Sequence, residues 1–349
     1  MKYLKIFIFL IIMIFSFFFR AKLDISEVKE TVLPKIILTD EDYKRDMIDE
    51  LGNIPIMMYH GIVNKEGTYR GNYDKDGYTR TLSAFRNDLE MYYQLGYRMI
   101  KLDDYIHGRI DTEYGYSPII LTFDDGYDNN ILVDGIDDNG DIIINKYSAV
   151  YVLEEFKKKY PDYNVTATFF VTDSLFNQAE YDEKIVKWLI EHGYSIGNHT
   201  KHHDNLSKID NDKIGNTVGY MYSKLNSIIG DNYSKIVALP FGAPYNRDSD
   251  KFPYIIDSKY KEITYHTDAI LRVGWEPEFS PFNKKVDMTY LKRCRAYDND
   301  GKDFDIEYVF RMLDKNRYIS DGNKDTIVST KSKSDMINNS YNLEVILYE

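Results

Sequence analysis

An α/β fold with a parallel sheet is predicted for this 349-residue chain by two features: short apolar runs alternate with amphipathic segments of helical period, and the polar clusters fall at the C-terminal ends of those runs. Composition agrees, because 43% hydrophobic and 29% charged residues describe a globular chain able to bury a core.

The N-terminus stands apart. Residues 1–24, MKYLKIFIFLIIMIFSFFFRAKLD, hold Lys2 and Lys5, an apolar run from Ile6 to Phe19 broken only by Ser16, and then Arg20 and Lys22. No small-x-small site follows, and Phe17, Phe18, Phe19 and Arg20 stand where a signal peptidase needs small residues. An uncleaved membrane anchor is therefore expected, with the rest of the chain outside the cytoplasm at the cell surface, or secreted if cleavage does occur. Residues 25–51 are charged and weakly periodic and read as a stem. Residues 52–325 are expected to form the main domain, and 326–349 a C-terminal tail.

Within that domain, NIPIMMYH (53–60) reads as a short buried strand. Residues 83–95 place Phe85, Leu89 and Tyr92 on one helical face, and Gly96 stops the helix. YRMIKL (97–102) and SPIILTF (117–123) come next as strands. Residues 128–146, DNNILVDGIDDNGDIIINK, interrupt the alternation and read as an inserted hairpin with DDNG at its turn. As a calcium loop they fail, with Ile136 where a ligand is needed and no glutamate at the twelfth position. The order resumes with the helix AVYVLEEFKKK (149–159), the strand NVTATFFV (164–171), the helix EKIVKWLIEHG (183–193), the strand YSIGNHT (194–200), one helix over 212–230 and the strand of KIVALPFG (235–242). Ligands of such folds gather beyond the C-terminal strand ends. His60, Asp124–Asp125, His199 and Phe241–Gly242 all lie there.

Charge and cysteine content narrow the chemistry. A net charge of -12 disfavours nucleic acid, which needs clustered Lys and Arg, and suits a neutral or cationic substrate. Cys294 is alone, so any metal must be held by His and carboxylates.

In LTFDDG (121–126), adjacent residues of a regular strand face opposite ways. At a strand end turning through Gly126, both Asp124 and Asp125 can face one site, although Asp-Asp-Gly alone is most often an ordinary turn. In HTKHH (199–203), His199 and His203 stand at i and i+4, which converges two rings if the segment makes a helical turn. Three of the seven histidines fall in this stretch. Two His and one Asp around an open-sided divalent ion suit zinc. His202 at i+3 is a further candidate.

FDDG, the HTKHH spacing, ATFFV between them and the later LPFG resemble the motifs of the polysaccharide deacetylases, the NodB homology domain of carbohydrate esterase family 4. The resemblance runs from Ile54 to Asn246, and more loosely to Asp321–Gly322. It implies a distorted (β/α)7-type barrel and metal-dependent hydrolysis of N-acetyl groups on an N-acetylglucosamine-containing polysaccharide, peptidoglycan or exopolysaccharide, with Zn2+ or Co2+ as cofactor. Carried over by position, Asp124 is the catalytic base, Asp125, His199 and His203 are the metal ligands, and Phe241 supplies a backbone N–H to the oxyanion.

Two departures stand out. The chain has no histidine after His266, so the C-terminal Leu-x-His acid of many members is missing, and Ala238 replaces the arginine that commonly orients the base. His60 in MMYH matches an early histidine that serves as the acid in exopolysaccharide deacetylases. Its plain alternative is a buried His bonded to a loop carbonyl. His266 is the competing acid, and Trp275 reads as a wall of the sugar groove or as core. The rival functions are a catalytically impaired glycan-binding protein of the same fold and an O-acetyl sugar esterase.

Overall fold

The computed structural model describes residues 38–64 and 73–349. The chain divides between Thr39 and Asp40, and the sheet, its helices and the candidate site all belong to the unit from Asp40 to Glu349. The expected anchor at 1–24 lies outside the described residues. Among the described residues, no helix is long and apolar enough to cross a membrane.

Eight parallel strands carry the fold: β1 (Ile56–Tyr59), β2 (Tyr97–Met99), β3 (Ser117–Phe123), β4 (Thr168–Val171), β5 (Ser195–Asn198), β6 (Ile236–Ala238), β7 (Ala269–Leu271) and β8 (Cys294–Arg295). Their order is β7-β6-β5-β4-β3-β1-β8, with β2 also paired to β3. The sheet curls, and one short segment reaches both of its edges: Leu291 exchanges backbone bonds with Ile270 and Arg272 beside β7, while Cys294 and Arg295 pair with Met57 and Met58 of β1.

Period two divides the strand residues between two cores. Ile56, Ile120, Phe170, Ile236, Ala238, Leu271 and Leu291 pack together inside the curl. Met57, Tyr59, Leu121, Phe123, Phe169, Ile196 and Cys294 pack outward against helices α1 (Leu82–Gln94), α2 (Ala149–Lys159), α3 (Asp182–Glu191) and α5 (Ile306–Leu313). Both faces being covered explains why these strands read as continuous apolar runs rather than alternating ones. Helix α1 starts at Thr81, whose hydroxyl accepts the Ala84 N–H at 3.2 Å, and ends before Gly96 at φ 81°.

Three expectations are corrected. The single helix over 212–230 is a short 3-10 segment, Asn211–Asn216, followed by α4 (Val218–Ile229). Gly215 packs so close to the Lys259 backbone that a Cβ would lie 1.9 Å from its carbonyl oxygen, and the Thr217 hydroxyl is taken by Lys201 and Asp204. The stem does not extend to residue 51, because Tyr43, Ile48 and Leu51 are buried and Glu50 exchanges backbone and side-chain bonds with Val328. Residues 326–349 are part of the same body rather than a separate tail: Thr326–Thr330 and Glu344–Tyr348 form a parallel pair, with Ile327 and Val328 buried. The 128–146 insertion does contain a hairpin, Val133–Ile136 with Ile142–Ile144, turning on Asp137, which accepts the N–H groups of Asn139 and Asp141.

Candidate metal centre and catalytic residues

β3 delivers the two carboxylates. The Asp124 N–H donates to the Tyr59 carbonyl at 3.0 Å, extending the pairing with β1 by one residue and keeping Asp124 on the inner face with Ile120 and Thr122. The backbone then enters the left-handed region at Asp125 (φ 72°) and Gly126 (φ 63°), which brings the second carboxylate round to the same side. Only glycine fits at 126: a Cβ would lie 1.9 Å from the Leu175 carbonyl oxygen.

β5 delivers the histidines. His199 continues the pairing with β4 through its N–H to Val171, and its Nδ1 lies 2.9 Å from the Ala238 carbonyl at the end of β6. Its Nε2 is 3.1 Å from Asp125 Oδ1, and His203 Nε2 is 3.3 Å from the same oxygen. The rings converge without a helical turn. Thr200 (φ 64°) and His203 (φ 55°) are left-handed, and a loop held by Asn198 to the Thr200 N–H and by the Thr200 hydroxyl to the Asp204 N–H returns the second ring to the first. Among the described residues, Asp125, His199 and His203 are the group whose donor atoms converge, all within 4.8 Å of one another. His202 is outside it; its N–H bonds Asp204.

This donor set fits a divalent ion. With Nδ1–H given to Ala238, a neutral His199 presents a lone pair to Asp125 Oδ1, which is repulsive unless a cation lies between them or the ring is protonated. Ligands about 2.0–2.2 Å from a tetrahedral ion stand roughly 3.3 Å apart, close to the spacings seen here. Burial alone would lower the His199 pKa, but Asp124 and then Asp125 raise it. At His203 burial and then His199 act together to lower it.

Asp124 is 2% exposed and meets a partner that sequence reasoning missed. Arg293 Nη1 and Nη2 donate to Asp124 Oδ1 and Oδ2, both at 2.7 Å, and Nη1 also reaches the Thr122 hydroxyl at 3.2 Å. Burial pushes the Asp124 pKa up, but Arg293 and then His199 outweigh it and hold the carboxyl well below the usual carboxylate range. An arginine thus meets Asp124 from the residue just before β8, where Ala238 offers none. The available signal was the pattern RCR at 293–295, which places two arginines on one strand face.

His60 follows β1 and is 8% exposed. Its carbonyl accepts from Asn130 Nδ2 at 2.7 Å, and its ring meets Tyr78 edge-on at 5.1 Å. Nδ1 is buried and bonds no group among the described residues, so no loop carbonyl among them holds the ring through that atom. Burial lowers its pKa, and Asp124 and Asp125, near enough to act on it, pull the other way. His266 lies on the separate hairpin Asp257–Tyr260/Ile263–His266, its Nδ1 2.6 Å from Asp257 and its Nε2 3.7 Å from Asp268. Phe241 has φ 59° and is 54% exposed, with its ring 4.4 Å from His203. Trp275 is 41% exposed, which favours the wall reading over core.

The geometry agrees with what the chain resembles. Residues 112–252 match the family model described as polysaccharide deacetylase. A peptidoglycan-N-acetylglucosamine deacetylase of Bacillus cereus is 32% identical over 130 residues, 37% of this chain and 38% of that protein. An uncharacterised 30.6 kDa protein of Geobacillus stearothermophilus is 29% identical over 139 residues, 39% of this chain and 43% of that protein. The chain therefore spans about two fifths of the length of these curated relatives. A solved Streptococcus pyogenes deacetylase in complex with acetate shares the fold, with a TM-score of 0.51 at 18% identity over 74% of this chain and 97% of that one. Residues 112–252, the span that matches the polysaccharide deacetylase family model, hold Asp124, Asp125, His199, His203 and Phe241.

Proposed function

We propose that the protein is a metal-dependent N-deacetylase of an N-acetylglucosamine-containing glycan, peptidoglycan or exopolysaccharide, acting at the cell surface from an N-terminal membrane anchor. The observation that carries the reading is the convergence of His199 and His203 on one oxygen of Asp125, beside a second carboxylate that is separately paired. A His2Asp donor set favours Zn2+, with Co2+ the natural substitute. An ion held there supplies Lewis-acid polarisation of the acetamide carbonyl and makes water acidic enough to attack at neutral pH.

This chain's own residues do the rest. Arg293 uses one lone-pair site on each Asp124 oxygen and fixes the carboxylate plane, leaving the other sites to take the proton of the attacking water. The Phe241 N–H, at the end of β6 beside His203, is assigned to the developing oxyanion. His60, across the site from His199 and His203 in strand order, is assigned to protonate the departing amine. Burial works against its charged form, and the two aspartates work for it.

An impaired glycan binder is disfavoured by the Arg293–Asp124 pair, because a protein that only binds has no need to hold a buried carboxylate ionised. The test is acetate release from N-acetylglucosamine oligomers by chelated protein with zinc restored. Release from O-acetylated sugar alone would make the protein an esterase, and no release from any acetylated glycan with metal bound would make it a binder.

A further inference from the structure

Strand period puts Arg293, just before β8, and Arg295 within it on the same face, one strand repeat apart. Arg293 serves Asp124. Arg295, two residues nearer the C-terminal end of the strand, has no carboxylate within ion-pair distance among the described residues, although the chain carries a net charge of -12. Its guanidinium lies 4.3 Å from the centroid of the Trp275 ring and 5.3 Å from that of Tyr78. Nη2 touches the Tyr78 hydroxyl only at 3.4 Å, and Nε is buried with no partner among the described residues. Tyr78 in turn packs on His60.

The surroundings fix this arrangement. Gly77, at φ 75°, leaves room for the arginine stem, since a Cβ there would lie 3.2 Å from Arg295 Cδ. Gly274 brings the Trp275 segment against β8, where a Cβ would lie 2.7 Å from the Arg293 nitrogen. Tyr78 and Trp275 are 49% and 41% exposed, so both rings against which the guanidinium lies are open to solvent. An arginine lying against aromatic rings keeps Nη N–H groups for a ligand, and its planar fork matches a carboxylate. A single guanidinium with no carboxylate partner among the described residues balances one negative charge, which favours a carboxylate over a phosphate dianion.

Resting on the deacetylase reading, we propose that Arg295, lying against Tyr78 and Trp275, selects glycans that carry a carboxylate on the sugar next to the N-acetyl group being removed. The acidic group docks on the guanidinium edge while its sugar ring stacks on the exposed aromatics. The zinc-loaded full chain is given oligomers alternating N-acetylglucosamine and N-acetylmuramic acid, with the lactyl carboxyl either free or amidated. A charge-assisted hydrogen bond predicts about a tenfold higher kcat/KM, and about tenfold tighter binding by calorimetry, for the free acid. R295Q keeps a planar group against the rings and should lose both preferences while still hydrolysing the amidated oligomer. The wild-type comparison needs no variant, so a folding defect in R295Q leaves the test intact. Equal kcat/KM and affinity for the two oligomers, or a preference surviving in R295Q, would overturn the role of Arg295. No acetate from either oligomer, with the tenfold binding preference present and lost in R295Q, would overturn the deacetylase reading and leave Arg295 standing as an anion site.

Discussion

Replacing Arg293 by Met gives a prediction whose size is set by burial. The Arg293–Asp124 pair has side-chain exposures of 0% and 3%, and Arg293 makes both of the carboxylate's close contacts at 2.7 Å. Removing one partner of such a pair strands the other charge, at a cost of about 3–5 kcal/mol. Asp124→Asn should cost a similar amount, because it strands Arg293. The double variant strands nothing, so the two single costs should fall short of additivity by at least ~2 kcal/mol. Urea unfolding of metal-free protein, followed by fluorescence, measures all three without metal binding entering the result. If the single costs add to within about 0.5 kcal/mol, the two side chains are uncoupled and the assignment of Arg293 as the residue that holds the base is wrong.

Other tests address the remaining residues. His60→Ala should lower kcat by about 10²–10⁴, the range for loss of a general acid, while His266→Ala on its outlying hairpin leaves it nearly unchanged; the reverse order of effects would reassign the acid. His199→Ala and His203→Ala should each lose bound zinc on dialysis, whereas His202→Ala keeps it, and zinc content after dialysis decides. Glu50 is 1% exposed and accepts the Tyr318 hydroxyl at 2.7 Å and the Val328 N–H at 2.9 Å. Burial first, and then Asp321, pushes its pKa up from 4.5 to about 8. Between those values the folded state holds a proton that the unfolded chain has released, so stability should fall as pH rises by up to ~1.4 kcal/mol per unit and level off above that window. Glu50→Gln should flatten the slope in pH-dependent urea midpoints; an unchanged slope would locate the titration elsewhere.

The parts of the site that local sequence determines were legible. Asp124, Asp125 and the two histidines proposed to hold a metal sit at strand ends, and strand ends can be read from apolar runs followed by Gly or polar residues. The convergence of His199 and His203 was legible from their spacing but its route was not: two left-handed residues and the Asn198 and Thr200 side chains, rather than a helical turn, return the second ring. Arg293 was invisible for a different reason. It lies 169 positions from Asp124 in the chain and meets it only because Leu291–Arg295 hydrogen-bonds to both edges of the curled sheet. The stem and tail boundaries failed for a similar reason: Glu50 and Val328 carry no local sign that they will bond each other. A buried Glu in a charged stretch looks like a solvated one until its partners are known.

The proposed function depends most directly on one assay, acetate released from N-acetylglucosamine oligomers by protein stripped of metal and then given one equivalent of Zn2+. The stripped wild type should be inactive, zinc should restore release, and Asp125→Ala should neither hold zinc nor recover. Equal acetate release before and after chelation, or full recovery in Asp125→Ala, would contradict a metal-dependent deacetylase built on Asp125, His199 and His203.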